Sequence, residues 1–288
     1  MDLSSIKKVG VIGAGQMGRG IAQVLAFSGF ETKVFDISEE ALSQATGFIG
    51  KILNRGVEKG KWDKSRSDKA LSLISTTTKL NDLHDFDFII EAATENKKIK
   101  FDLFKQLDQI CKPEAILATN TSSISITEIG AQTKRASQVV GMHFMNPVPV
   151  MKLVEGIRGL ETSDESFKLT EDLALKLGKE FVKAKDYPGF AVNRILMPMI
   201  NEAIYALYEG LASVEDIDKA MKLGTNQPMG PLTLADFIGL DTCLAIMNVL
   251  FEGFSDTKYR PCPLLKQYVA SGRLGKKSGR GFYEYGEK

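Results

Sequence analysis

Two histidines occur in the 288 residues of this chain, and one of them, His143, sits in GMHFMNPVPVMKLVE. That segment reads as a strand, a loop stiffened by Pro147 and Pro149, and a second strand that carries Glu155. Histidine changes charge near neutral pH, so an imidazole beside a carboxylate is a ready acid–base device. The carboxylate would fix the ring tautomer and support the positive form. The same two residues would equally serve as a satisfied polar pair inside a core. Other stretches end in groups able to hold a reacting oxygen: EAATEN with Glu95, TNTSS with Asn120, Ser122 and Ser123, and HFMNP with Asn146. Serine and asparagine side chains donate hydrogen bonds to oxygen as charge develops on it. The second histidine, His84, lies in the polar turn KLNDLHDFDF and reads as a solvated loop residue. No G-x-S-x-G elbow supports Ser–His–Asp hydrolysis. Two separated histidines without an acidic cluster predict no metal site.

The elements that would bring these groups together begin at the N-terminus. KKVGVI (7–12) is a short β-branched strand, followed by glycines, the helical pattern of IAQVLAFSG and a second strand, ETKVFD. In that setting Gly13, Gly15 and Gly18 form the G-x-G-x-x-G of a dinucleotide-binding βαβ unit. The first glycine permits a tight turn, the second lets the backbone approach a pyrophosphate, and the third lets helix and strand pack closely. Gln16 and Met17, between them, open the helix whose N-terminus attracts an anion. Asp36 ends the second strand eighteen positions after Gly18, where a carboxylate accepts a ribose 2′-hydroxyl and repels a 2′-phosphate. ISEE follows with no arginine, so NAD is expected over NADP. Strand ends at the carboxyl edge of such a sheet face the ligand, which brings Glu95, Asn120, Ser122, Ser123, His143 and Asn146 to the nicotinamide side. In that company the His143–Glu155 pair reads as the acid–base of a hydride transfer.

Further strand candidates, SLISTTTKL, DFDFIIEAA, AILATNTSS, QVVGMHF, MKLVEGI and EFVKAKD, have helical stretches such as KKIKFDLFKQLDQIC between them. This alternation predicts an α/β fold, a Rossmann-type doubly wound sheet. From PGFAVNRILMPMINEAIYALYEG onward the period is helical until a short strand-like GFYEY tail. The expected division is 1–187 for a NAD-binding domain, with a charged helical arm over about 38–61, and 188–288 for a smaller all-helical domain. Apolar faces in AVNRILMPMINEAIYAL and LADFIGLDTCLAIMNVL look too extensive for one small bundle and predict a subunit interface. A net charge of +1 offers no field for nucleic acid or membrane. No apolar run reaches the roughly 18 residues of a bilayer span. Five leader residues leave no room for a signal peptide, and three scattered cysteines fit a reducing compartment, so a cytoplasmic protein is expected.

Almost the whole chain resembles the L-3-hydroxyacyl-CoA dehydrogenase family, and within it the short bacterial 3-hydroxybutyryl-CoA dehydrogenases. The likeness rests on VIGAGQMGRGIAQV, EAATENKKIK, ATNTSSISI, GMHFMNPVPVMKLVE, DYPGFAVNRILMPMINEA and GRLGKKSGRGFYEY, of which DYPGFAVNR is the most specific. The resemblance implies NAD-dependent, reversible conversion of (S)-3-hydroxyacyl-CoA substrates, short-chain ones foremost, in butyrate or fatty-acid metabolism. It implies His143 as catalytic acid–base, Glu155 as its orienting glutamate, Ser122 as substrate-holding serine and Asn193, in G-F-x-x-N-R, as a second substrate contact. Glu95, Lys100 and Asn120 match positions lining the nicotinamide half of the cofactor. A homodimer through the helical domain is implied as well. Lys51, Arg55 and Lys59 recur at i, i+4 and i+8 on the arm, a spacing that fits coenzyme A phosphates and an ordinary solvated basic face alike. Two rivals stand: a related NAD-dependent dehydrogenase of a free hydroxy or sugar acid, and a non-catalytic NAD-binding sensor. Coenzyme A dependence separates the first; the second needs none of His143, Glu155, Ser122 and Asn193.

Overall fold

The computed structural model describes residues 2–286. The chain divides into two compact units, Met1–Tyr187 and Pro188–Lys288. In the first, eight strands form one sheet: β1 (Lys8–Ile12), β2 (Glu31–Phe35), β3 (Ile74–Thr77), β4 (Phe88–Glu91), β5 (Ile116–Thr119), β6 (Val139–Phe144), β7 (Leu153–Arg158) and β8 (Glu180–Lys185). Their order is β3-β2-β1-β4-β5-β6-β7-β8. The first six are parallel; β7 runs antiparallel to β6 and β8 parallel to β7. Helices α1 (Gln16–Phe27), α2 (Glu39–Glu58), α3 (Lys64–Ser72), α4 (Lys97–Ile110), α5 (Ile126–Gly130) and α6 (Asp164–Lys176) make the connections. With helices on both faces, the central strands are apolar throughout; Val9, Val11, Phe88, Ile89, Ile90 and Leu117 are all fully buried. The chain leaves β1 toward β2 and leaves β4 toward β5. A crevice therefore opens at the carboxyl ends of β1 and β4, where the order reverses.

The arm ends earlier than its charge pattern suggests. Helix α2 stops at Glu58, Lys59 caps it, and Gly60 turns left-handed at φ +65°. The amides of Lys61 and Gly60 bond back to the carbonyls of Gly56 and Val57, a Schellman closure that only the glycine's conformational freedom permits cheaply. Trp62 then folds over Gly56, where a Cβ would lie 1.9 Å from the indole, and its Nε1 donates to the Leu53 carbonyl at 3.0 Å. Leu42, Ala45, Ile49 and Leu53 bury the inner face of α2 in the core of the same unit.

The second unit comprises α7 (Val192–Tyr208), α8 (Val214–Gly224), α9 (Pro231–Ile238), α10 (Leu240–Phe254) and α11 (Pro263–Ala270), packed around Ile204, Leu232, Leu240, Met247, Leu250 and Leu265. The expected GFYEY strand is absent; only isolated bridges pair Gly275 with Arg280 and Arg280 with Glu284. What orders this tail is a buried carboxylate. Asp236 accepts the amides of Phe282 and Tyr283, at 3.0 Å each, and the Tyr285 hydroxyl. Burial pushes the Asp236 carboxyl up, and the donors around it offset this only in part. Among the described residues no single helix is long and apolar enough to cross a membrane.

Candidate active site

The glycine loop separates its three jobs by geometry. Gly13 has φ +99°, and a Cβ there would come 2.6 Å from the Ala92 carbonyl. A Cβ on Gly18 would come 1.7 Å from the Gly13 carbonyl, so turn and helix touch directly. Gly15 differs: its φ of −66° suits any residue, and a Cβ would meet nothing of the protein within 4 Å. Neither backbone nor packing explains that glycine, which leaves close approach by an outside group. Gly15 also caps the twelve-residue α1, so the unmade amides of Gln16 and Met17 and the positive end of the helix are presented there. Asp36, just beyond β2, accepts the Ala14 amide on Oδ2 at 2.8 Å and the Ser38 amide on Oδ1 at 3.0 Å. Each oxygen keeps a lone pair for a ribose hydroxyl. The residues present thus fit a dinucleotide.

Strands β6 and β7 place His143 directly opposite Glu155. Cross-strand neighbours of an antiparallel pair lie within side-chain reach, and the imidazole Nδ1 stands 2.8 Å from Glu155 Oε2. Glu155 is fully buried and His143 is 8% exposed. With Nδ1–H given to the carboxylate, Nε2 is left as the proton-accepting nitrogen. The loop after His143 is held from below: Lys179 donates to the carbonyls of Val148, at 2.5 Å, and Met151, at 2.8 Å. Asn146 accepts from Gln16 Nε2 at 3.1 Å, tying this loop to the start of α1.

The ends of β4 and β5 supply the remaining polar groups. Asn120 accepts the Phe144 amide at 2.8 Å and so joins β5 to the strand that carries His143. Glu95 gathers the next turn on one oxygen: Oε1 accepts from Thr121 Oγ1 at 2.5 Å, Ser122 N at 2.9 Å, Ser123 N at 3.1 Å and Ser123 Oγ at 2.7 Å. The Ser122 hydroxyl is held only at 3.4 Å and can turn outward. Burial pushes the Glu95 carboxyl up, but Lys100 and the donors of Thr121, Ser123 and Ser122 outweigh it and leave it below its ordinary value. Lys100 does not face outward; it is 1% exposed and pairs with Glu91 at 2.6 Å. Sequence reasoning missed Glu91, because a carboxylate ending an apolar strand carries no motif.

Two predicted groups of residues lie elsewhere in the chain. Asn193 is buried in the first turn of α7. The turn before it is unusual: Gly189 and Phe190 both have positive φ, +77° and +50°, and a Cβ on Gly189 would press to 2.6 Å on Leu250. Asp186, three residues earlier, accepts from Ser125 Oγ at 2.7 Å and from the amides of Ile126 and Thr127 at 3.0 and 2.8 Å, which ties it to the turn after Ser122 and Ser123. Lys51 and Arg55 are exposed on α2, whereas Lys59 lies past its last helical residue. The three therefore do not continue one helical stripe. His84 is exposed in the turn before β4, its Nδ1 3.1 Å from the Asn81 carbonyl.

Residues 8–187 match the 3-hydroxyacyl-CoA dehydrogenase NAD binding domain, and residues 189–285 match the 3-hydroxyacyl-CoA dehydrogenase C-terminal domain. The chain is 56% identical over 283 residues to a probable 3-hydroxybutyryl-CoA dehydrogenase of Bacillus subtilis, covering 98% of this chain and 99% of that protein. It is 55% identical over 280 residues to a 3-hydroxybutyryl-CoA dehydrogenase of Bradyrhizobium diazoefficiens, covering 97% of this chain and 96% of that one. The crystal structure of (S)-3-hydroxybutyryl-CoA dehydrogenase from Ralstonia eutropha superimposes with a TM-score of 0.96 at 51% identity, over 98% of this chain and 100% of that chain.

Proposed function

Because the chain belongs to the 3-hydroxyacyl-CoA dehydrogenase family, we propose that it interconverts (S)-3-hydroxybutyryl-CoA and acetoacetyl-CoA with NAD, in the cytoplasm. The observation that carries this reading is the His143–Glu155 pair, 2.8 Å apart on paired strands, the histidine one residue from the carboxyl end of β6. Bound NAD supplies the acceptor for the hydride that leaves C3 of the substrate. His143 Nε2 takes the 3-hydroxyl proton during oxidation and returns it during reduction. Glu155 keeps the ring in the tautomer that makes Nε2 the base, and its charge supports the imidazolium. The Ser122 hydroxyl holds the 3-oxygen, and we assign Asn193 to the thioester end. Glu95 and Asn120 shape the nicotinamide side, with Lys100 beneath them, while Gly13, Gly15, Gln16, Met17 and Gly18 cradle the pyrophosphate and Asp36 takes the ribose. Lys51 and Arg55, with Lys59 at the end of their helix, are assigned to coenzyme A phosphates. The buried free thiols of Cys111, Cys243 and Cys262 accord with a reducing compartment.

The reaction is tested by following NADH absorbance on mixing the protein with acetoacetyl-CoA, with free acetoacetate and NADPH in parallel. Rapid loss of NADH with the thioester alone is the expected result. Turnover of the free acid at an equal rate would point to a hydroxy-acid dehydrogenase. Silence with every substrate, from folded protein that still binds NADH, would leave a sensor.

A further inference from the structure

Beneath the site lies a charge pair that no step above uses. Glu91 ends β4 at the crevice with its side chain fully buried, and Lys100 reaches it from α4. Glu91 Oε1 meets Lys100 Nζ at 2.6 Å and the Ala93 amide at 2.7 Å, while Oε2 accepts the Thr119 hydroxyl at 2.7 Å. If filling space were the whole purpose, apolar residues would serve as well or better, since desolvating two charges is costly. The lysine has further business. Its Nζ lies 3.4 Å from Glu95 Oε2, the oxygen opposite the one that gathers Thr121, Ser122 and Ser123. Glu95 is the only one of the three charged groups with substantial exposure, its side chain 38% open against 1% for Lys100. The row Glu91, Lys100, Glu95 thus runs from the sheet interior to the serine turn, with a cation between two anions.

We propose that Glu91 is a positioning residue: through Lys100 it fixes the Glu95 carboxylate, and through that carboxylate it sets the Ser122 hydroxyl toward the substrate 3-oxygen. This rests on the reading above in which Ser122 holds that oxygen. Without Glu91, the buried ammonium has one remaining carboxylate partner, Glu95, and draws it inward from the serine turn. Without both Glu91 and Lys100, Oε2 loses its anchor and the carboxylate turns freely. Either way the fold can survive while the hydroxyl loses its aim.

The test uses Glu91→Gln, Lys100→Met and their combination, each with and without Ser122→Ala. Glu91→Gln strands a buried charge and lowers Tm; the double variant removes that charge and recovers Tm. Its kcat with acetoacetyl-CoA, at saturating NADH, stays down by about a hundredfold, the cost of an ångström-scale misplacement. Ser122→Ala lowers kcat in the wild type and adds almost nothing in the double variant, because the two changes remove one interaction. If Glu91→Gln does not fold, the double variant carries the test. A double variant that recovers kcat along with Tm overturns the proposal, as does a Ser122→Ala loss of equal size in both backgrounds. A wild type silent toward acetoacetyl-CoA overturns the underlying reading and this inference with it; an active wild type beside either of those results overturns the inference alone.

Discussion

Gly15 and Gly18 are the same residue type in one loop with opposite reasons to be there. A methyl group on Gly18 collides with the Gly13 carbonyl, whereas one on Gly15 meets open space at an ordinary φ. Gly15→Ala should therefore leave unfolding within about 0.5 kcal/mol of wild type while weakening NADH binding clearly. Gly18→Ala should lower stability and binding together. Thermal melts beside fluorescence titrations separate the two, and equal NADH affinity in Gly15→Ala would remove the pyrophosphate from that position. At His143, substitution by glutamine should lower kcat by about 10²–10⁴-fold with NADH affinity nearly unchanged. Glu155→Gln should cost a large part of that factor by mis-setting the ring. Near-normal turnover in either variant, measured with saturating acetoacetyl-CoA, would take the pair out of the mechanism. His143, Glu155 and the glycines were legible because each stands in a motif. Glu91 and Lys179 were not, since their roles come from strand and loop neighbours distant in the chain.

Elements place these residues through their ends. The register of β6 against β7 puts a histidine and a glutamate twelve positions apart face to face. A one-residue slip would turn one of them to the other side of the sheet. At the opposite edge, Asp87 precedes β4 and accepts the amides of Lys7 and Lys8 at 2.7 and 2.8 Å, with the Lys112 ammonium on its other oxygen. Burial pushes its carboxyl up, but these donors win and hold it below its ordinary value. A depressed acid stabilises the fold above the carboxylate range of the unfolded chain, near pH 4, and this is lost as pH falls through the lower folded value. Asp87→Asn should cost about 1–3 kcal/mol at neutral pH and flatten the acid limb of stability below pH 4. Urea melts across that range check it, and an unchanged acid limb would remove Asp87 from the account. Helix α2 ends before its charge pattern does, because Gly60 turns left-handed and closes it. Trp62 then folds back, its ring filling the space over Gly56.

For the whole molecule, the large exposed side chains of the second unit bear on assembly. Ile195, Leu211 and Leu223 are 73%, 78% and 75% exposed, which costs apolar surface to water unless something covers it. A homodimer through this unit is expected in sedimentation velocity, as a species of twice the 31.6 kDa chain mass, with Leu211→Glu and Leu223→Glu together shifting it toward monomer. A wild-type monomer at micromolar concentration would reject that assembly. By itself the sequence determined the α/β class, the βαβ fingerprint, NAD as the cofactor and the candidate acid–base pair, because these depend on local periodicity and on residue types at fixed spacing. Tertiary structure decided the strand order β3-β2-β1-β4-β5-β6-β7-β8, the pinning of the tail on Asp236 and the buried row from Glu91 to Glu95. Those are choices among distant partners. A short sequence window shows that a carboxylate needs a donor, but only the packed chain says which donor reaches it.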